Sequence, residues 1–357
     1  MIGETFTVFN VVRVFVVATL SFFIAIILTP AWNKVIQKNN LGKQLKGSDS
    51  APIFNKLHKK KEGTPTMGGV VVWATVIIVT LGFSFFASLY NGTWSDWNFL
   101  SRAQTLLPLG ALFVAAMFGL ADDLFGVFRI GPNGGGLKMR HRIGLYLLVA
   151  TGGAWWFFFK LDFNSINIPF AGDMAIGWWY IPFFIFIIVA TAFSANETDG
   201  LDGLAGGTFL TMFAAYGAIA FVQERMDLVV FIASIMGALV AFLWFNIYPA
   251  KFFMGDTGSM SLGVVLGIIA MLTNTALLLP IIALVFVGES LSVIVQITSK
   301  KLRGKKIFLS TPIHHHFEAK GWHETQITMR FWMISAVGAI IGLIIFLVDS
   351  KIPPLLF

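Results

Sequence analysis

Long apolar segments alternate with short polar ones along the whole chain, and most of the apolar segments are about 20 residues long. An α-helix needs that length, with few charges, to cross the hydrocarbon core of a bilayer. The pattern predicts an all-α polytopic membrane protein, forming a single integral-membrane domain over residues 1–357 with ten spans. The predicted spans are Val11–Thr29, Met67–Tyr90, Gln104–Ala121, Ile143–Phe159, Trp178–Ala195, Gly203–Val222, Leu228–Ile247, Gly258–Thr273, Leu277–Thr298 and Phe331–Val348.

The composition supports this interpretation. The chain is 57% hydrophobic and 12% charged, against roughly 25% charged in soluble domains, so it has too little polar surface to coat a soluble core. It contains no cysteine, which excludes disulfides and thiolate metal sites. The N-terminus lacks the basic region and cleavage site of a signal peptide, so we expect the first span to be retained.

The basic residues predict the orientation. Most of the 25 lysines and arginines fall in the loops after the first, third, seventh and ninth predicted spans. Loops rich in Lys and Arg stay in the cytoplasm, so both termini are expected to be periplasmic and the protein to lie in a bacterial inner membrane. The same loops hold the unusual acidic residues and histidines, which predicts an active-site cleft on the cytoplasmic face.

Two adjacent carboxylates, Asp122 and Asp123, end the third predicted span. A helix C-terminus carries a negative partial charge and is unfavourable for anions, so two of them suggest a functional use. One carboxylate is free to face a metal or a phosphate while the other orients a neighbouring base. The alternative is a pair of solvated boundary residues.

The sequence NETDGLDGLAGG follows the fifth predicted span. If this stretch is helical, Asp199 and Asp202 share a face, and Asn196 adds an amide beside them. The glycines permit close approach of a ligand, and exposed amides at the next helix start suit a phosphate. The alternative is a polar, glycine-rich turn.

A further carboxylate, Asp256, lies in the sequence MGDTGS between the seventh and eighth predicted spans. It is either part of an ordinary N-cap cluster or a ligand for a hard cation such as Mg2+, which prefers carboxylate, water and phosphate oxygens. Asn246, just upstream, offers an amide to the same region.

Three consecutive histidines, His314, His315 and His316, lie in the last large loop. Nearest neighbours cannot all face one ion, and no other zinc-type spacing is present. Imidazoles that donate to phosphate oxygens or to a carboxylate fit this setting better than a metal site or a solvated loop. Glu289 lies inside a predicted span, where an acid is costly; it either lines a cleft or belongs to a proton path.

The sequence GTPTMGG opens the second predicted span and follows three lysines. Thr64 and Thr66 are candidates to cap that helix. The other possibility is that Lys61 and Thr66 contact a phosphate of a substrate.

GTPTMGG, the Asp-Asp pair, TDGLDGLAGG, MGDTGS and PIHHHFE, in this order, resemble the phospho-N-acetylmuramoyl-pentapeptide transferase family. The resemblance implies a ten-span fold and a magnesium-dependent transfer from UDP-N-acetylmuramoyl-pentapeptide to undecaprenyl phosphate, giving lipid I and UMP. It implies that Asp256 binds Mg2+ and that Asp122 and Asp123 lie at the catalytic centre. Asp199 and Asp202 are then expected to shape the nucleotide and metal region, with Asp199 as a second metal ligand, while the three histidines support the site, His314 catalytically.

One departure from the family pattern is Gly126, where members commonly carry a lysine. A phosphate contact there would fall to Arg129 or Lys138. Direct attack by the lipid phosphate, with Asp122 orienting it, and a covalent intermediate on Asp123 both remain open. The expected partners are the two substrates, membrane lipids and a second copy of the chain, without nucleic acid. A transferase for another UDP-N-acetylhexosamine, or a transporter using Glu289, are the rival functions.

Overall fold

The computed structural model describes residues 2–39, 41–42, 63–90, 92, 94–131 and 135–350. Within these ranges the chain is almost entirely helical. Its helices are α1 (Ile2–Lys38), α2 (Gly69–Leu89), α3 (Leu106–Val127), α4 (Met139–Lys160), α5 (Tyr180–Thr198), α6 (Leu204–Val222), α7 (Met226–Asn246), α8 (Asp256–Leu272), α9 (Leu279–Ile282), α10 (Leu284–Arg303), α11 (Ile313–Ala319) and α12 (Glu324–Asp349).

Among the described residues, eight helices are long and apolar enough to cross a membrane: α1 to α7 and α12. A ninth span results if the bent pair formed by α9 and α10 counts as one. Helix α8 is equally apolar but only 17 residues long. A multi-pass membrane protein built from helices is therefore confirmed.

Helix α8 lies at the centre of the fold. Every residue from Thr257 to Leu272 is buried, and α8 packs mainly against α3 and α5. Small residues allow this approach: a Cβ on Gly69 would lie 2.2 Å from the Cα of Gly258, and one on Gly119 2.3 Å from the Asp256 carbonyl oxygen. Close packing through glycine is the usual way for helices to associate in lipid, and it fixes where α8 begins.

The predicted span Leu277–Thr298 is not one continuous helix. The chain breaks at Ala283, and α9 and α10 are bent by 84°. Buried Glu289, Ser292, Gln296 and Ser299 recur at helical spacing in α10 and give it a polar stripe. That stripe turns inward toward the rest of the protein, while Ile294, Ile297 and Leu302 stay exposed.

The structure also contains a short antiparallel hairpin that the all-α prediction did not include. Strands β1 (Ser165–Ile168) and β2 (Gly172–Ala175) pair with Ile168 opposite Gly172. Each strand has only four residues, which is too short for an alternation of apolar and polar residues to be recognised between long helical segments.

One end of the bundle is joined by polar contacts between distant segments. Arg13 of α1 forms an ion pair with Asp227 of α7, at 3.0 Å. At the same end, the Phe170 N–H of the hairpin donates to Oδ1 of Asp349, at the end of α12. The candidate catalytic carboxylates lie at the opposite end, where α8 begins.

Candidate active site

The Asp-Asp pair, the TDG sequence and the MGDTGS sequence meet at the residue that precedes α8. The Gly255 N–H donates to Oδ2 of Asp199 at 3.0 Å. Gly255 has φ +75°, and a Cβ there would lie 2.6 Å from Oδ2 of Asp123. Glycine is therefore required both for the backbone conformation and for the space.

Asp123 holds the start of α8. Its Oδ1 accepts from the Asp256 N–H at 3.1 Å, and its Oδ2 accepts from the Thr257 N–H at 3.0 Å. These are unpaired amides of a helix N-terminus, where a carboxylate is stabilised by the helix dipole. The Asp that is unfavourable at the end of α3 is thus favourable at the beginning of α8.

Asp122 is buried and faces a cation instead. Its Oδ2 lies 2.5 Å from Nε of Arg142, and its Oδ1 accepts from the Leu137 N–H at 2.6 Å. Nη2 of the same Arg142 lies 2.7 Å from Oδ2 of Asp256. One guanidinium therefore bridges the end of α3 and the start of α8.

Arg142 is a site residue that the sequence reasoning missed. Arg129 and Lys138 were the candidates to replace the lysine absent at position 126, but the structure places Arg142, in the first turn of α4, against the carboxylates. The available signal was its spacing: Arg142 stands four residues before Tyr146 on the helix, so the two share a face.

Asn196 links three helices. Its Nδ2 donates to the Tyr146 hydroxyl of α4 at 2.6 Å, and its Oδ1 accepts from the hydroxyl of Ser259 in α8. The amide therefore orders the wall of the site beside Arg142 and Asp256.

Asp202 and Asn246 bind the backbone around the site. Oδ2 of Asp202 accepts from the Ala250 N–H at 2.9 Å. Oδ1 of Asn246 accepts from the Gly203 N–H at 3.0 Å, and its Nδ2 donates to the Phe252 carbonyl at 2.9 Å. Both side chains are buried. Asp199 and Asp202 lie outside the helices, after α5, so they do not share a helical face.

The segment that precedes α2 forms another wall. The Phe253 N–H donates to the Pro65 carbonyl, and the Gly68 N–H to the Phe253 carbonyl, both at 2.8 Å. Thr66 is buried here. The capping alternative is wrong, because the N-cap of α2 is Gly68 and no side chain caps it. Lys61 lies outside the described residues.

The three histidines of α11 have three different partners. Nδ1 of His314 lies 3.0 Å from Oε2 of Glu289, and Nδ1 of His315 lies 2.6 Å from Oε2 of Glu318. Nδ1 of His316 accepts from the Leu309 N–H at 3.2 Å. The three Nδ1 atoms therefore point to three different groups rather than to one shared position.

His314 and Glu289 form a fully buried pair. The imidazole ring lies against Gly200, where a Cβ would be 2.2 Å from Nε2. Burial disfavours the imidazolium, but the adjacent Glu289 carboxylate outweighs burial, and the pKa of His314 is raised above its usual value. This pair connects α10 and α11 to the TDG turn of the active site.

A pH dependence of stability follows from this pair. The pKa of His314 is higher in the folded protein than in the unfolded chain. The charged His314 therefore adds fully to the free energy of unfolding when the pH is below its unfolded pKa, near 6.5. This stabilisation is lost as the pH rises through the pKa of His314 in the folded protein. We expect Glu289→Gln to destabilise the protein by roughly 3 kcal/mol at pH 6, with a smaller loss at pH 9. Thermal unfolding in detergent between these pH values measures the difference.

The conservative variant Glu318→Gln, at the His315 pair, is the matched control for Glu289→Gln. It removes a carboxylate from the neighbouring histidine of the same helix; Glu318 also raises the pKa of His314, but less than Glu289 does, so a smaller pH-dependent loss is expected. An equal loss of stability at pH 6 and pH 9 in Glu289→Gln would contradict a charged His314.

The donor set suits a hard divalent cation. Asp122, Asp123, Asp199 and Asp256 surround the start of α8, and the Asp256 side chain is 21% exposed. In the described part of the chain, no three acidic or histidine side chains are close enough to enclose a metal ion. Mg2+ is commonly held by one or two carboxylates together with water and substrate phosphates, so a site for it does not require three protein ligands.

Comparison with known proteins identifies the family that the chain resembles. Residues 105–274 match the model of glycosyl transferase family 4, and residues 61–71 match signature 1 of phospho-N-acetylmuramoyl-pentapeptide-transferase. Proteins of that name are similar over most of their length. The chain is 34% identical to the one from Chloroflexus aurantiacus over 94% of this chain and 89% of the relative. It is 37% identical to the one from Listeria monocytogenes over 90% and 95%, and 36% identical to the one from Geobacillus sp. over 91% and 95%.

Proposed function

The chain belongs to the phospho-N-acetylmuramoyl-pentapeptide transferase family, and on that premise we propose the reaction it catalyses. It transfers phospho-N-acetylmuramoyl-pentapeptide from the UDP-linked donor to undecaprenyl phosphate, giving lipid I and UMP. The observation that carries the proposal is the cluster of four carboxylates and one arginine at the start of α8.

The reaction is a phosphoryl transfer. An oxygen of undecaprenyl phosphate attacks the phosphorus attached to the sugar, and the bond from that phosphorus to the bridging oxygen breaks, so UMP leaves with the electron pair. Catalysis of this kind depends on alignment and on neutralising charge on the phosphates. Asp256 and Asp199 would hold Mg2+, which supplies part of that neutralisation when bound.

Arg142 supplies a second positive charge. Its guanidinium already spans Asp122 and Asp256, and an arginine can bind phosphate oxygens in a bidentate manner. We infer that Arg142 exchanges part of its carboxylate contacts for the donor diphosphate. Asn196, Asp202 and Asn246 act on the substrates by holding the backbone and helices that line the site.

The contacts of Asp123 favour direct attack over a covalent intermediate. Both of its oxygens accept hydrogen bonds from backbone N–H groups of α8. These hydrogen bonds lower the nucleophilicity of the carboxylate, and phosphorylation of Asp123 would break them. The acceptor phosphate has a second pKa near 6, so it is largely dianionic at pH 7 and needs little help from a base. Asp122, beside Arg142, would orient it.

We also propose ten spans, with α8 and the bent α9–α10 pair added to the eight long helices. Both termini are then periplasmic, and the active site opens to the cytoplasm of a bacterial inner membrane. Two observations support this orientation: the basic residues concentrate in the loops on the active-site side, and the first and last spans both reach the opposite end. The resemblance supports a homodimer.

Donor selectivity tests the proposed substrate. We expect UMP release from UDP-N-acetylmuramoyl-pentapeptide to exceed that from UDP-N-acetylglucosamine by about 100-fold or more in kcat/KM. The physical reason is that α11 packs closely against the TDG turn through His314, and together they would form a wall that contacts the sugar and peptide of the donor. Equal rates with both donors, or a preference for the second, would assign the chain to a sister transferase.

A further inference from the structure

A second polar cavity lies at the other end of α8. It has a volume of about 460 Å³ and is separated from Asp256 by the length of that helix, about 25 Å. Its walls come from the β1–β2 hairpin and from the ends of α6, α8 and α12. The reaction proposed above does not use this cavity, and its volume lies in the range of small-molecule sites.

The cavity is mainly electronegative. Three of its lining residues, Gln223, Thr273 and Ser350, are the C-caps of α6, α8 and α12, so three helix dipoles present their negative ends there. Two carboxylates, Asp173 and Asp349, also line it. A cationic group is therefore favoured at this part of the cavity.

The carboxylates are held in place by neighbouring backbone and amide groups. Oδ1 of Asp349 accepts from the Phe170 N–H at 2.6 Å, and Oδ1 of Asp173 accepts from Nδ2 of Asn274 at 3.1 Å. Oε1 of Gln223 is buried and has no hydrogen-bond partner within the described chain. A buried acceptor without a partner is costly, and a ligand that donates N–H groups would satisfy it.

Among the residues that the structure describes, one cation also lines the cavity. Arg225, just before α7, is half-buried and forms no ion pair with any residue in the described ranges. Burial lowers the pKa of Arg225, as expected for a guanidinium without a counter-ion. The cavity thus combines an acceptor-rich region for an ammonium with one guanidinium for an anion.

We propose that this cavity binds the headgroup of an ethanolamine phospholipid from the membrane leaflet at that end of the helices. The ammonium donates toward Asp173, Asp349 and Gln223, and the phosphate pairs with Arg225. Apolar side chains beside the cavity supply the surface that acyl chains require: Phe221 and Val222 end α6, and Ile344 and Val348 end α12, all exposed. A soluble zwitterion would not use that surface.

Other ligands fit less well. A divalent metal would lie beside the Arg225 guanidinium in the same cavity, and it would not use the exposed apolar side chains at the ends of α6 and α12. A choline headgroup carries the same charges but has no N–H to donate to the carboxylates or to Gln223. A glycerol headgroup lacks the positive charge that the two carboxylates attract.

Native mass spectrometry of the delipidated protein tests the proposal. The protein is titrated with phosphatidylethanolamine, phosphatidylcholine and phosphatidylglycerol of identical acyl chains. We expect the ethanolamine lipid to bind about threefold to tenfold more tightly than the other two, as a few partly exposed charge contacts allow. The double variant Asp173→Asn/Asp349→Asn is expected to remove this preference, and Arg225→Gln to weaken all three lipids.

Matched controls are Asp96→Asn and Arg102→Gln, which remove charges at the same end of the bundle but outside the cavity. Both are expected to keep the wild-type preference, and UMP release verifies that every variant is folded. Equal binding of the three lipids by wild type, or a preference that survives in the double variant, would overturn the proposal. Loss of the preference in the controls would overturn it as well.

Discussion

Replacement of Asp256 by Asn is expected to reduce UMP release by about 10³-fold or more. The change keeps the size of the side chain but removes the negative charge that contacts Arg142 and that we assign to Mg2+. Since Asp256 begins α8 beside Asp122 and Asp123, its loss also changes the charge balance of the whole site. The loss should appear mainly in kcat, with a higher Mg2+ concentration needed for half-maximal rate.

Folding is not expected to change in Asp256→Asn. The backbone N–H of residue 256 still donates to Asp123, and one charge among several carboxylates is removed. The thermal midpoint should therefore stay near the wild-type value. Asp96→Asn, in the 3-10 turn at the other end of the bundle, should keep full activity. Wild-type turnover and Mg2+ dependence in Asp256→Asn would show that this carboxylate is not a metal ligand.

Replacement of Arg142 by Ala is expected to lower kcat/KM by about 10²-fold to 10³-fold. The guanidinium is the cation that joins Asp122 to Asp256, and its removal leaves two carboxylates that repel the donor diphosphate. Arg142→Lys should recover part of the rate, because an ammonium keeps the charge but cannot bridge both carboxylates in the same planar geometry. Steady-state kinetics with both substrates measures the two variants.

Arg140 provides the matched control for Arg142. It lies in the same first turn of α4 but is exposed, so Arg140→Ala should retain near wild-type kinetics. If Arg142→Ala unfolds because it leaves buried Asp122 unpaired, Arg142→Lys still tests the assignment. An Arg142→Lys enzyme without any loss of rate, or an equal loss in Arg140→Ala, would contradict the role of the guanidinium.

The membrane fold could be predicted from the sequence because a helix must be long and apolar to cross a bilayer. The orientation could be predicted because basic loops stay in the cytoplasm. The break between α9 and α10 at Ala283 could not be predicted from the length and hydropathy of the segment. Helix α10 carries a buried polar stripe that includes Glu289 and Gln296, and average hydropathy over a window conceals both such a stripe and a bend in the helix. The short hairpin was missed because four-residue strands carry almost no periodicity of their own.

Part of the candidate site could also be predicted from the sequence, because charged residues are costly in an apolar chain. Carboxylates at unfavourable positions, such as Asp122 and Asp123, stand out in an apolar chain, and the structure brings both to the start of α8. Which Asp caps a helix and which pairs with a cation depends on tertiary geometry, so it could not be predicted. Arg142 was overlooked because its one local signal, the four-residue spacing from Tyr146, is weak beside several other basic residues in the same loop.

The most direct test of the central claim is UMP release by the purified protein with UDP-N-acetylmuramoyl-pentapeptide and Mg2+, measured with and without undecaprenyl phosphate. Direct transfer predicts that UMP forms only when the lipid is present, in equal amounts with a lipid-linked product. UMP release without the lipid would contradict direct attack by the acceptor phosphate. If a protein preparation that shows a cooperative thermal transition releases no UMP even when the lipid is present, that result would contradict the transferase account itself.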